Sequence, residues 1–402
     1  MREFLDVVTV DTALERIKKV FTHTDIEWVP LSESHNRTLA DSISSPELLP
    51  AFTRSTVDGY AIRAQDSFGS TESLPAFLTL TGEVIMGRST EFSLSSGECA
   101  WIPTGGMLPG NSDAVVMVEY TEKLDEKTVL IYRPVGPGDN TMLKGEDISL
   151  GQELFPAGHR LRPQDIGLMA SLGITGVAVL RPIKVGIIST GDEIVPIEKS
   201  PLIGQVRDVN TYALAAAVEA CGAIAKTYPI VKDDFVLLKQ AMEESLQEND
   251  MVLISGGSSV GIADMTLTVL LDFPDSELIF HGVAVKPGKP AMAVREGEKL
   301  VIGLPGHPVS ALMMFYTLCS PVLNPYPLRQ STAKLSLNVA SQAGRDDYIP
   351  VAFMPDKEYV EPLLGKSGLM SILARADGYI HIPYEKQGIK SGESVKVTFF
   401  HS

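Results

Sequence analysis

The sequence predicts a multi-domain α/β plus β protein: a central, mainly parallel α/β domain, an inserted all-β domain ahead of it, and a small C-terminal β domain. Three observations carry that prediction. Between residues 181 and 324, apolar strand-like runs alternate with stretches of helical spacing, the pattern of parallel strands joined by crossover helices. Between residues 46 and 143, short β-type runs are separated by Gly and Pro clusters, and no convincing helix is visible. After the linker "NPYPLRQST", only β-type runs recur through residues 325–402. A chain of 402 residues suits two to four domains at roughly 100–200 residues each.

The elements follow in order. Residues 9–21 place Val10, Leu14, Ile17 and Phe21 at helical spacing, and Thr12 with Glu15 resembles a capping box. The β-type runs of the next region are "FLTLTGEVIM", "CAWIP", "AVVMVEY" and "TVLIY". The stretch "DIGLMASLGITGVAVLRP" reads as a short helix and a strand leading into the α/β region. There, strands Val185–Ser189, Ile224–Val231 and Met251–Ser255 are separated by helices Thr211–Cys221 and Phe235–Leu246. Right-handed crossovers and a mainly parallel sheet follow from that alternation. Further β-type runs lie near Leu278–Val285, Ala291–Val294 and Leu300–Gly303, before a last helix beginning near Pro308. The closing β runs are "KLSLNVA", "YIPVAFM", "YVEPLL" and "SVKVTFF".

A hydrophobic fraction of 44% and a charged fraction of 21% are ordinary for a soluble globular protein. The formal net charge of -16 argues against nucleic acid as a partner. It leaves room for an anionic small ligand at local lysines. Cys99, Cys221 and Cys319 lie far apart in apolar settings, so they read as small buried hydrophobes rather than a zinc site or a disulfide framework. No apolar stretch is long enough for a membrane span and none forms a signal core, so a cytoplasmic protein with no membrane partner is expected.

In an open parallel sheet, ligands bind outside the carboxyl ends of the strands. Four loops qualify on that rule: "STGDE", "SGGSSVGIAD", "KPGKP" and "GLPGHPVS". Glycines allow backbone N–H groups to approach a ligand closely, so Gly256, Gly257, Ser258, Ser259 and Gly261 can cradle a phosphate. The same loop also serves as a simple turn, and it lacks the Walker pattern. Lys286 and Lys289 sit in a stiff Pro-Gly turn, an anion site or a charged surface turn. The third and fourth loops join the first two only if their strands run the same way.

Carboxylates stand among these anion loops. Glu193, Asp264 and Asp233 or Asp234 would share the edge, although Asp233 and Asp234 also suit helix capping. A carboxylate beside a phosphate site is repulsive unless a divalent cation lies between them, and Mg²⁺ is held by one or two carboxylates plus phosphate oxygens. Glu193 and Asp264 are therefore candidate metal ligands. In the N-terminal third, Asp58-Gly59 and Thr104-Gly-Gly read as tight turns or as exposed polar groups, and Asp147 in "GEDI" is equally open.

Taken in order, "STVDGYA", "IPTGG", "GPGDNTMLKGEDI", "STGDEI", "SGGSSVGIAD", "VAVKPGKP" and "GLPGHPVSA" resemble the motifs of the molybdopterin molybdenumtransferases. This is the MoeA family, to which the E domain of gephyrin also belongs, and the likeness spans essentially the whole chain. It implies a linker domain from two segments (1–45 and 144–180), an inserted β domain (46–143), a molybdenum cofactor biosynthesis-like α/β domain that binds molybdopterin (181–324), and a C-terminal β domain (325–402). The implied reaction is the last step of molybdenum cofactor assembly: adenylylated molybdopterin and molybdate are the substrates, AMP leaves, and Mg²⁺ assists. Carried over by motif, Asp58, Thr104, Asp147, Glu193, Asp233, Asp264, Lys286, Pro305 and Pro308 become functional positions.

The resemblance further implies a homodimer in which Asp58 and Thr104 act across the interface. A molybdopterin adenylyltransferase and molybdoenzyme-maturation proteins would be its partners. Two alternatives are a molybdopterin adenylyltransferase, which the multi-domain layout argues against, and a non-catalytic scaffold like the gephyrin E domain. One departure stands out: some relatives carry a lysine shortly before KPGKP, where Gly282 stands here beside His281, itself an anion ligand or a packing residue.

Overall fold

The computed structural model describes residues 7–22, 25–256, 260–324, 326 and 328–400, the side chains of 260–264 excepted. The chain divides into two compact units, Ile26–Leu180 and the combination of Met1–Asp25 with Arg181–Ser402.

Ile26–Leu180 is built on a six-stranded sheet ordered Ala114–Met117, Gly59–Ile62, Glu98–Ile102, Ala76–Glu83, Thr128–Ile131, Thr121–Lys123. Successive side chains of a strand leave on opposite faces. Tyr60, Ile62 and Val116 accordingly pack with Val129 and Ile131, whereas Ala61 and Val115 pack with Val84, Leu94 and Ile102. The strand Gly59–Ile62 was not foreseen, because "DGYAI" opens with turn residues.

A third core joins Val29 and Leu39 to Leu161, Met169 and Val179, around helix Pro163–Ser171. The strand Gly176–Leu180 pairs antiparallel with Ile26–Pro30 instead of leading into the α/β sheet. Asp165, only 3% exposed, anchors the helix start: it accepts from the Arg162 backbone N–H at 2.9 Å, from the Arg162 guanidinium at 2.9 and 3.0 Å, and from His159 at 2.7 Å. The Arg162 guanidinium first, and His159 second, hold this carboxyl far below the usual carboxylate range.

Its folded pKa lies below its unfolded value of about 3.9, so the stability it lends is complete above roughly pH 5 and is lost as pH falls below about 4. Asp165→Asn is expected to cost about 2 kcal/mol at neutral pH and to flatten the acid limb of stability against pH. Urea titrations at pH 7 and pH 3.5 check this; an Asn variant with an unchanged acid limb would count against it.

The larger unit holds the α/β sheet. Its strands are β1 (Lys184–Thr190), β2 (Ile224–Thr227), β3 (Met251–Gly256), β4 (Ser276–His281), β5 (Met292–Glu296) and β6 (Lys299–Leu304). The order is β2-β1-β3-β6-β5-β4. β2, β1, β3 and β6 are parallel, and β5 is antiparallel to both of its neighbours. β4 therefore runs in the same direction as β6.

The helices are α1 (Val10–Val20), α2 (Asn210–Ala220), α3 (Phe235–Glu248), α4 (Val260–Leu271) and α5 (Pro308–Met314). α5 runs on into a π turn, Phe315–Cys319, and a last helical turn, Ser320–Leu323. One sheet face, with Val185, Ile187, Met251 and Leu253, packs on Leu214 and Val218 of α2 and on Phe315. The other, with Ile188, Val252 and Ile254, packs on Leu238, Met242 and Leu246 of α3. Helices after β1 and β2 thus cover opposite faces, which puts a topological switch point between β1 and β3.

Several expectations need correction. The α1 cap is Thr9, whose hydroxyl accepts from the Thr12 N–H at 3.2 Å. α1 packs Ala13 and Ile17 into the α/β core, not with residues 144–180. β2 ends at Thr227 because Pro229 has no N–H to donate. The run Leu278–Val285 is two strands in two sheets: β4 stops at His281, and Val285–Lys286 pairs in parallel with Asp346–Phe353 of the C-terminal sheet. That sheet closes around Leu335, Val351, Val360, Ile380 and Val397. Cys99 and Cys319 are buried, and burial pushes the Cys99 thiol up to about 12; Cys221 is half-buried.

Candidate functional site

The carboxyl edge of the sheet is one row of paired residues: Thr190 with Gly256, Ser255 with Leu304, Gly303 with Met292, and Met292 with His281. All four loops named from the sequence leave this edge, because β4 and β6 run with β1 and β3. At the switch point the backbones close tightly. A Cβ on Gly256, whose φ is +154°, would lie 2.1 Å from the Thr190 carbonyl oxygen.

The loop after β1 bonds back to the next crossover. The Thr190 hydroxyl donates to Asp233 Oδ1 at 2.9 Å, and the Gly191 N–H donates to the Val231 carbonyl at 3.1 Å. Asp234 is the helix cap, accepting from Val236 and Leu237 N–H groups at 2.9 and 3.0 Å. Asp233 is thereby left for the edge. Asp192 and Glu193 are exposed there. A cavity of about 490 Å³ beside them is lined by Asp192, Asp208, Thr211, Tyr212, Tyr228 and Lys232.

Asp208 escaped the sequence reading. It is 6% exposed and accepts from the Ser189 hydroxyl at 3.0 Å and the Thr211 N–H at 3.1 Å, while Ser189 also meets Ser255 at 3.3 Å. The network ties β1 to β3 at the root of both loops. Next to it, Asn210 Nδ2 donates to the Gly306 carbonyl at 2.9 Å, which links α2 to the fourth loop. The signal was present as "RDVN", an acidic residue three before Thr211 at a helix start.

The third and fourth loops open on a cleft of about 1240 Å³ within this unit, walled on its far side by the C-terminal sheet. Lys286, Lys289, His307, Arg345, Lys366 and Ser367 line it. Lys286 and Lys289 are exposed. Arg345 Nε donates to Asp347 at 2.9 Å, and His307 Nδ1 meets the Ser367 hydroxyl at 2.9 Å. Pro308 is the first residue of α5, and Pro305 borders a small pocket with Gly256 and Pro290. Arg345, Lys366 and Ser367 had no sequence signal, since they lie far along the chain from the lysine loop. Gly282 has φ +101° and is buried, a backbone that a lysine would strain.

In Ile26–Leu180, Asp58 and Thr104 come together: the Thr104 N–H and hydroxyl donate to Asp58 Oδ1 at 2.6 and 2.7 Å. The backbone N–H first, then the hydroxyl, hold the Asp58 carboxyl below the usual range. Asp147 is exposed in another turn, its N–H donating to the Leu49 carbonyl at 3.0 Å. Gly257, Ser258, Ser259 and the side chain of Asp264 lie outside the described residues, and Gly261 falls in the first turn of α4.

The donor set suits a hard cation. Among the described residues no group of three or more His, Cys, Asp and Glu could hold a metal. The exposed carboxylates Asp192 and Glu193 are oxygen donors of the kind Mg²⁺ takes.

Comparison with known proteins covers nearly all of the chain. Residues 8–173 match the profile of the MoeA N-terminal region (domains I and II), residues 186–325 that described as "Probable molybdopterin binding domain", and residues 332–400 that of the MoeA C-terminal region (domain IV). A crystal structure of a molybdopterin biosynthesis MoeA protein from Pyrococcus horikoshii superposes with a TM-score of 0.85 at 37% identity, covering 99% of this chain and 100% of that one. The molybdopterin molybdenumtransferase of Haemophilus influenzae is 30% identical over 98% of this chain and 99% of its own length.

Proposed function

This chain belongs to the MoeA family, and from that premise we propose that it is a molybdopterin molybdenumtransferase. It takes up adenylylated molybdopterin, cleaves the phosphoanhydride so that AMP leaves, and inserts molybdate into the dithiolene. The observation that carries this reading is the cation-lined cleft of about 1240 Å³ into which the lysine loop and the PGHP loop open. It suits a substrate pair of which one member carries a pyrophosphate and the other is an oxyanion.

In this reading Gly256, Gly257, Ser258, Ser259 and Gly261 cradle the pyrophosphate through backbone N–H groups. Lys286 and Lys289 neutralise phosphate charge, and Arg345 neutralises that of the oxyanion. Pro305 and Pro308 shape the fourth loop, and Asp233 is held toward the edge by Thr190. Glu193 and Asp264 hold Mg²⁺, which when bound supplies charge neutralisation at the phosphoanhydride. Asp58 and Thr104 reach the reaction from a second copy in a homodimer, and Asp147 is a further functional position carried by the GEDI motif. The setting is cytoplasmic, with a molybdopterin adenylyltransferase supplying the substrate and molybdoenzyme-maturation proteins taking the product.

The test is AMP release from adenylylated molybdopterin, with and without molybdate and Mg²⁺. Release that requires both is the expected result. Substrate bound without release under any condition points to a scaffold instead, and formation of adenylylated molybdopterin from ATP and molybdopterin points to an adenylyltransferase.

A further inference from the structure

We propose that Asp347 is a positioning residue that fixes Arg345 as the oxyanion-reading cation of the cleft, and so sets the affinity for the tetrahedral oxyanion substrate. The inference rests on the functional reading above and names a residue that the reading does not use.

Asp347 is 3% exposed, yet it lies in the wall of a cleft that otherwise presents cations. Burying a carboxylate is costly, and placing it beside an anion site also repels the ligand. Its position is therefore informative. Asp347 Oδ1 accepts from Arg345 Nε at 2.9 Å. That bond uses one of the five N–H donors of a planar guanidinium and leaves the four on Nη1 and Nη2. No protein partner for those four appears among the described residues. A guanidinium held at Nε by a buried acceptor keeps a fixed plane, whereas an unpaired one ranges over its rotamers and loses more entropy on each capture of an anion.

Two neighbouring features point the same way. Asp346, the preceding residue, is also buried, but it serves the fold: it accepts from His381 Nε2 at 2.7 Å and from the Tyr384 N–H at 3.1 Å. Adjacent carboxylates on one strand thus divide between sheet and cleft. Asp347 is also the register partner of Lys286 across the parallel pair Val285–Lys286 with Asp346–Asp347. Side chains of register partners leave a sheet on the same face. The carboxylate therefore stands at the junction of the lysine loop and the arginine wall.

The sign of one measurement separates positioning from bare charge. If Asp347 acted only through its charge, neutralising it would tighten oxyanion binding. If it positions Arg345, removal weakens it.

We would measure KM for molybdate and for adenylylated molybdopterin in AMP release by the full chain, for D347A, D347N, R345A and the D347A/R345A pair. D347A is expected to raise the molybdate KM about tenfold, with the other KM within about twofold and D347N intermediate, since its amide oxygen can still accept from Nε. In the R345A background, D347A adds nothing further. A molybdate KM that is unchanged or lowered in both D347 variants overturns the proposal. So does an effect of D347A that multiplies with R345A, the mark of a merely structural role. Should D347A fail to fold, D347N against R345A decides by the same signs. If R345A leaves the molybdate KM unchanged, the oxyanion is not read at this wall and the proposal falls with it. Absence of AMP release in the native chain overturns the functional reading itself.

Discussion

Replacing Lys286 and Lys289 together by alanine is expected to lower kcat/KM for AMP release by about 10²–10⁴-fold and to leave the fold intact. A hydrogen bond to a charged group contributes roughly 1.5–3 kcal/mol, so the loss of two corresponds to about that range of rate. The fold is spared because Lys286 enters the C-terminal sheet through its backbone and both side chains are exposed. Single-turnover AMP release, with a thermal melt as control, measures both halves of the expectation. A change under about tenfold would return "KPGKP" to a charged surface turn, since surface charges typically contribute no more than about 1 kcal/mol.

The second large effect is on stability. Gly256→Ala puts a Cβ 2.1 Å from the Thr190 carbonyl oxygen, at a φ of +154° that L-residues rarely adopt. No flexible side chain can yield, because the obstacle is backbone in the β1–β3 ladder. The pair has to separate at the switch point, with an expected cost of about 3 kcal/mol or more in urea unfolding and loss of activity in the folded remainder. Gly222→Ala is the control. Its φ is +82° with nothing within 4 Å of the added carbon, so strain alone acts and about 1 kcal/mol is expected. Equal costs for the two would show that close approach at Gly256 is not the determinant.

Much of the α/β architecture was legible because its strands are buried on both faces. Val185–Ser189 and Met251–Ser255 are continuous apolar runs, and each came within a residue or so of the observed strand. Periodicity shows that a face is buried but not what covers it, so the alternation in Val10–Phe21 gave a helix without revealing that Ala13 and Ile17 belong to the α/β core. The lysines were readable because Pro and Gly stiffen their turn. Arg345 and its partner Asp347 were not, because an ion pair two residues apart in "GRDDY" looks like ordinary strand-edge charge. Only the pairing of Val285–Lys286 with Asp346–Asp347 brings those groups to one wall. Similarly, "DD" at 233–234 reads as one cap; the fold splits the roles, with Asp234 on the helix and Asp233 on Thr190.

That two-residue pairing also bears on how the chain can be rearranged. The C-terminal sheet looks like a detachable module when its boundary is drawn at "NPYPLRQST", yet its edge strand beside Asp346 comes from before that boundary. The Asp346 N–H donates to the Ala284 carbonyl at 2.8 Å, and the Ala284 N–H in turn donates to the Val8 carbonyl at 2.7 Å. Three stretches distant in sequence are thus laced through one backbone seam. A chimera that exchanges residues 325–402 between relatives replaces half of that seam and leaves the other half facing an unmatched edge. The natural unit of transplantation is the sheet together with residues 282–290, cut at places the linker does not mark.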